Sequence, residues 1–205
     1  LDEFNYSHKA KILETNVENY IFKPSVKKTF VPLKNIKNEC ADEYLHGCTI
    51  YVLRKFSNLI YQKDCTGITF IYDENSIIDV QLNDTTEYLY GASVDIGTTS
   101  VVVYVYDLNT GVLLKTYSSL NLQLSSGGDV ITRINYSGNL NGLKELNSKI
   151  MQTINNMVGK ADSEITNFKN NLYNIILCGN STMQHLLFNL RPNSLGFSPF
   201  KSITK

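Results

Sequence analysis

The chain has 205 residues, 42% hydrophobic and 11% aromatic, with 19 Lys and Arg against 19 Asp and Glu, a formal net charge of zero. That length suffices for one medium domain or two small ones, and the balanced charge lacks the basic footprint of a nucleic-acid binder. The longest apolar run, Val101 to Tyr106, falls far short of the roughly 18 residues that span a bilayer, so a soluble chain with no membrane partner is expected.

The first residues, Leu1-Asp2-Glu3, have neither the basic start nor the apolar run of a secretory signal, and the expectation is a piece of a longer chain. Up to about residue 34 the strand formers Val17, Tyr20, Ile21, Phe22, Val26, Phe30 and Val31, interrupted by Pro24 and closed by Pro32, predict extended segments, at least one of them an edge strand. From Ala41 to Gln62, apolar residues at three- and four-residue spacing predict an amphipathic helix whose first turn is weakened by Gly47. Ile68 to Tyr72 and Ile77 to Leu82 flank the turn formers Asp73, Glu74 and Asn75, a hairpin. A polar stretch at Asn83 to Thr86 marks a boundary, giving a small α+β unit over residues 1–86 and a second unit over 87–205.

In the second unit, Tyr88 to Val94, Ser100 to Asp107 and Val112 to Ser118 read as three antiparallel strands. A short helix at Asp129 to Tyr136 and a long amphipathic one marked by Leu143, Leu146, Ile150, Met151, Ile154, Met157 and Val158 follow. Tyr173 to Cys178 reads as a buried strand and Thr182 to Leu190 as a helix stopped by Pro192. The order is that of an α/β fold that stops without closing.

Four cysteines, Cys40, Cys48, Cys65 and Cys178, are too dispersed for a disulfide scaffold, so reduced thiols and a cytoplasmic location are expected. Cys40, His46 and Cys48 lie close in sequence, but no CxxC, zinc-spaced second cluster or four-cysteine iron–sulfur run accompanies them. They read as side chains near a helix start.

Asp95-Ile96-Gly97-Thr98-Thr99-Ser100 stands at the tight turn between two long strands. Glycine allows a ligand to approach the backbone, successive turn N–H groups form an anion-binding concavity, hydroxyls add donors, and a carboxylate at a strand end holds a hydrated cation. A magnesium-bound polyphosphate fits that set, as does an ordinary hairpin turn. Asp129 and Arg133, four apart, would share a helix face and either pair with each other or face a cleft. Asn180, Ser181 and Thr182 sit at a strand-to-helix junction, where both an N-cap and a ligand site belong. His185 reads as a packing histidine.

Val94-Asp95-Ile96-Gly97-Thr98-Thr99 resembles the first phosphate motif of the acetate kinase, sugar kinase, heat-shock chaperone and actin superfamily. Asn121-Leu122-Gln123 with Gly127-Gly128-Asp129-Val130-Ile131-Thr132-Arg133-Ile134, and Gly179-Asn180-Ser181-Thr182-Met183-Gln184-His185-Leu186-Leu187 with Pro199-Phe200, are similar to blocks of the reductive activators of corrinoid proteins. The resemblance implies a middle α+β domain followed by the first half of an actin-like ATPase domain. It further implies an ATP-dependent activator that returns a cob(II)amide protein to the cob(I)amide state. Asp95 would hold magnesium through water, and Gly97, Thr98, Thr99, Ser100, Asn180 and Thr182 would contact Mg-ATP. Asp129 and Arg133 would face the cleft or the partner. An N-terminal [2Fe–2S] domain outside this chain would pass electrons from a reduced donor to the corrinoid protein, and a homodimer is implied.

Several positions depart from the family pattern: Leu122 replaces a proline, Ser126 an aromatic and Gly128 an alanine. A second phosphate loop and an adenosine loop do not occur in these residues, so the chain alone is expected to be inactive. A non-catalytic dimerisation or docking module, and a small-molecule kinase of the same superfamily, are the alternatives; no Walker A pattern is present.

Overall fold

The computed structural model describes residues 22–38 and 44–202. Strand-forming residues before Phe22, and Cys40, lie outside the described residues. β1 (Val26–Pro32), β2 (Gly67–Asp73) and β3 (Ser76–Leu82) form an antiparallel sheet in the order β1-β2-β3, with β1 the expected edge strand. The hairpin joins β2 and β3 through Glu74, which takes φ 52°.

α1 (Leu33–Asn38), not foreseen, follows Pro32 directly. The predicted helix over 41–62 is shorter: α2 runs Ile50–Ile60. Gly47 has φ 73°, the left-handed region, which separates a helical turn at Tyr44 and Leu45 from α2. The new start is capped by Thr49, whose hydroxyl accepts from the Val52 N–H. α2 buries Val52 and Phe56 against Ile68, Phe70 and Val80 on one sheet face. Alternation puts Ile71 on the other face, where it packs with Val26 and Leu89 and meets Leu108 and Tyr173 of the second sheet.

The second sheet has the order β6-β5-β4-β7. β4 (Tyr90–Ile96), β5 (Ser100–Asp107) and β6 (Leu113–Leu120) are antiparallel neighbours, as expected, while β7 (Leu172–Gly179) lies parallel to β4. α3 (Val130–Tyr136) and the 25-residue α4 (Leu140–Glu164) intervene. Leu143, Leu146, Ile150, Ile154, Met157 and Ala161 of α4 cover Ala92, Val94, Ile96, Val101, Val103 and Val105. Met151, read as part of that stripe, is exposed. The face away from α4 carries Ser93, Asp95 and Cys178, set side by side by strand register.

Two expectations fail at the C-terminal end. β7 is an edge strand, not a buried one: Ile175, Ile176 and Leu177 are exposed because one side of the strand has no neighbour among the described residues. α6 (Ser181–Leu187) ends before Pro192, since Asn189 takes the left-handed φ of 56° and the Leu190 N–H bonds back to the His185 carbonyl. A four-residue helix, α5 (Phe168–Asn171), completes the elements needed below.

Candidate phosphate-binding site

The turn between β4 and β5 is closed by the Gly97 N–H donating to the Ser100 carbonyl at 2.9 Å. A Cβ on Gly97 would stand 2.6 Å from that carbonyl oxygen, so this close approach of backbone on backbone requires glycine. β4 extends two residues beyond its predicted end, placing Asp95 within the strand beside the turn.

All three turn carbonyls are held from behind. Asn121 donates from Nδ2 to the Gly97 carbonyl and from its backbone N–H to the Thr99 carbonyl, both at 2.9 Å. Arg133 donates from Nη2 to the Thr98 carbonyl at 2.6 Å. With the carbonyls drawn inward, the Thr98 and Thr99 N–H groups are left without a protein acceptor among the described residues. Thr99 is exposed and Thr98 partly so. Neighbouring unpaired amides on a tight turn are the donor arrangement that receives an anion.

The support is a buried polar network. Asn121, Gln123 and Arg133 are fully buried, and Gln123 links them: its Oε1 accepts from Arg133 Nη1 at 3.0 Å and from Asn121 Nδ2 at 3.3 Å. Its Nε2 donates to the Leu146 carbonyl of α4, anchoring the turn to the longest helix. Arg133 also donates from Nε to the Gly127 carbonyl. Every member is bonded, so the network rigidifies the turn instead of destabilising the core. Sequence reasoning gave no role to Asn121 and Gln123; their signal was the resemblance of Asn121-Leu122-Gln123 to a family block, which here makes a short 3-10 turn over Leu122–Ser126 with Asn121 as its N-cap.

Asp129 and Arg133 do not pair. Asp129 caps α3, accepting from the Thr132 N–H and hydroxyl, which hold its carboxyl below the usual range. Arg133 points the other way, into the core behind the turn.

Asn180 does reach the turn. Its Oδ1 accepts from the Met183 N–H as the N-cap of α6, and its Nδ2 donates to the Thr98 hydroxyl at 3.4 Å. Capping and ligand reading therefore meet in one exposed side chain. Thr182 is buried in α6. Ser100 opens β5 and is half-buried. His185 is buried and bonds through Nδ1 to the Ser181 carbonyl, a packing role.

Asp95 is exposed, with no hydrogen bond or ion pair to protein among the described residues. It neighbours Cys178, whose thiol is pushed up by burial and by the Asp95 carboxylate. A free carboxylate beside unpaired amides and hydroxyls fits a magnesium-bound polyphosphate. Among the described residues no three His, Cys, Asp or Glu side chains converge.

The family model described as the RACo middle region matches residues 90–205, the part that contains the turn, the buried network and α6. The corrinoid activation enzyme RamQ of Eubacterium limosum is 38% identical over 156 residues, 75% of this chain and 26% of that protein. A solved structure described as a reductive activator for corrinoid, iron-sulfur protein shares the fold, with a TM-score of 0.73, 23% identity and coverage of 91% of this chain and 32% of that one. The expected mixed α/β architecture, with two sheets, is thus the fold found, and it is the fold of that reductive activator. The chain spans between a quarter and a third of the length of these relatives. On the residues matched, it belongs to the RACo middle-region family.

Proposed function

We propose that the chain forms part of an ATP-dependent reductive activator that restores an inactivated cob(II)amide protein to the cob(I)amide state. The observation that carries this reading is the turn at Gly97, Thr98 and Thr99, with its carbonyls drawn inward, two amides left free and Asp95 beside it. Family membership supplies the class of reaction, because the relatives bear the names of corrinoid activators.

Bound Mg-ATP supplies the free energy of phosphoryl transfer for an uphill reduction. This chain's residues bind and orient: the Thr98 and Thr99 amides receive phosphate oxygens, their hydroxyls add donors, and Asp95 accepts hydrogen bonds from water around magnesium. Asn180 ties the turn to α6 through its bonds to the Thr98 hydroxyl and the Met183 N–H. Such positioning and charge neutralisation are the usual means of phosphoryl-transfer catalysis. Residues 1–86 act as a separate unit joined to the ATPase portion, in a cytoplasmic, homodimeric protein. The corrinoid protein and a reduced electron donor are the partners, and the electron path uses an iron–sulfur domain outside these residues. Among the described residues no helix is long and apolar enough to cross a membrane.

The test is spectrophotometric. The full reading frame is mixed with a cob(II)amide protein, a low-potential donor and Mg-ATP, and cob(I)amide formation is followed. ATP-dependent reduction that Asp95→Ala abolishes supports the reading; reduction that ignores ATP or Asp95 contradicts it.

A further inference from the structure

Arg133 is fully buried, and among the described residues no carboxylate lies within ion-pair distance of it. Its donors end on neutral oxygens only: Gly127 O at 2.8 Å, Gln123 Oε1 at 3.0 Å and Thr98 O at 2.6 Å. The sulfur of Met183 lies 3.4 Å from Nη1. A buried cation normally gains a carboxylate partner, because the cost of leaving water is otherwise met only by dipoles. Burial accordingly pushes the Arg133 guanidinium down from its ordinary value, opposed by the more distant Asp129 carboxylate. Here the carboxylate nearest in sequence, Asp129, is turned away to cap its own helix.

The direction of the missing charge is given by the hydrogen bonds. Nη2 touches the carbonyl of Thr98, and the amides of Thr98 and Thr99 open on the other side of that same backbone turn. A positive charge in a low-dielectric interior acts over several ångströms with little screening. We propose that Arg133 is a positioning residue for the polyphosphate site. It fixes the Thr98–Thr99 peptide so that the Thr99 N–H faces outward, and its charge, which no hydrogen-bonded carboxylate neutralises, attracts the phosphate anion through the turn. An anion on the Thr98 and Thr99 amides supplies the negative charge that the core does not.

This inference rests on the polyphosphate reading of the turn and adds to it a claim about charge. Two variants separate charge from geometry: Arg133→Lys keeps the cation and loses the fork, whereas Arg133→Met keeps a linear side chain and loses both. Calorimetric titration of the full reading frame with Mg-ATP and with magnesium triphosphate gives the readout, with the thermal midpoint of each ligand-free variant as the control. The expected result is a loss of at least tenfold in affinity for both ligands in Arg133→Met, with partial recovery in Arg133→Lys. Equal affinity in wild type and Arg133→Met, or equal loss in both variants, overturns the charge claim while leaving the polyphosphate reading intact. No binding of either ligand by the wild type overturns both.

A second measurement covers the case in which Arg133→Met does not fold. Residues 1–205 contain three arginines, Arg54, Arg133 and Arg191, so an arginine-labelled sample of the chain gives few side-chain Nε–H signals. The Arg133 signal, protected by its bond to the Gly127 carbonyl, is expected to shift on addition of magnesium triphosphate and not with magnesium alone. A signal that stays in place while the Thr98 and Thr99 amides shift contradicts the proposal.

Discussion

Asn121 holds Gly97 by a hydrogen bond of 2.9 Å from its side-chain Nδ2 to the glycine carbonyl, and it holds Thr99 through its own backbone N–H. One residue thereby orients two of the three peptides of the turn. Its Oδ1 also accepts from the Gln123 N–H as an N-cap. Asn121→Ala removes the cap and leaves the part-buried Gly97 carbonyl without its protein donor, losses of roughly 1 and 1–3 kcal/mol respectively. The expected fall in unfolding free energy is about 2–4 kcal/mol, read from the midpoint of a urea transition at unchanged slope.

Gly97 tests the geometry without touching charge. Its position 2.6 Å from the Ser100 oxygen, measured from an added Cβ, means that Gly97→Ala must displace backbone at the turn. Affinity for Mg-ATP is expected to fall at least tenfold while the far-ultraviolet circular dichroism stays that of the wild type. Gly128, by contrast, has open space around its added Cβ, so Gly128→Ala, which restores the residue usual in the family pattern, is expected to leave binding unchanged.

Leu122 stands where the resembling family has proline, and the structure shows what took over. Its N–H, which proline lacks, donates to the Thr153 hydroxyl of α4 at 3.3 Å, and that hydroxyl donates onward to the Lys149 carbonyl. Leu122→Pro loses one hydrogen bond, about 1 kcal/mol, and regains roughly 0.4–1 kcal/mol by restricting the unfolded chain. It should therefore be near neutral in the wild type and stabilising in a Thr153→Val background. A double-mutant cycle by urea unfolding measures this difference.

Lys28 joins the two sheets. Its ammonium donates to Gln81, to the carbonyl and hydroxyl of Thr85 and to Asn171, and lies 5.6 Å from the Tyr173 ring centre. Burial, opposed by Asp79 and Asp84 and assisted by Lys55, lowers its pKa to about 8. The folded value lies below the unfolded one, so between pH 8 and about 10.5 the unfolded chain binds more protons and stability rises with pH. The contribution is lost as pH falls through 8. The slope in this window is expected to be steeper for the wild type than for Lys28→Met; equal slopes contradict the assignment.

Much of this fold was legible in the sequence. Both hairpins and the long helix α4 follow from alternation and from three- and four-residue spacing, which local sequence carries directly. The start of α2 was misplaced because periodicity continued through Gly47, whose left-handed φ interrupts the helix. The exposure of Ile175, Ile176 and Leu177 was not legible, since an apolar run looks the same on a central and an edge strand. At the site, Asp95 stands near the end of β4 beside the Gly97 turn and Asn180 bonds the Thr98 hydroxyl, a contact that links two motifs far apart in sequence. Of the two readings of Asp129 and Arg133, the pair does not form, because spacing does not tell which way a long side chain turns. The inward carbonyl bonds of the turn depend on residues 22 to 35 positions downstream, a long-range relationship outside the reach of local pattern.

The most direct measurement is calorimetric titration of Mg-ATP into the full reading frame and into its Asp95→Ala variant. Asp95 is exposed and makes no bond to protein among the described residues, so its removal should change folding stability by no more than about 0.5 kcal/mol. The polyphosphate account predicts that the wild type binds Mg-ATP and that the variant, folded and equally stable, loses at least tenfold in affinity. Equal binding by both proteins, or none by the wild type, would contradict it and leave the Gly97 turn as hairpin geometry alone.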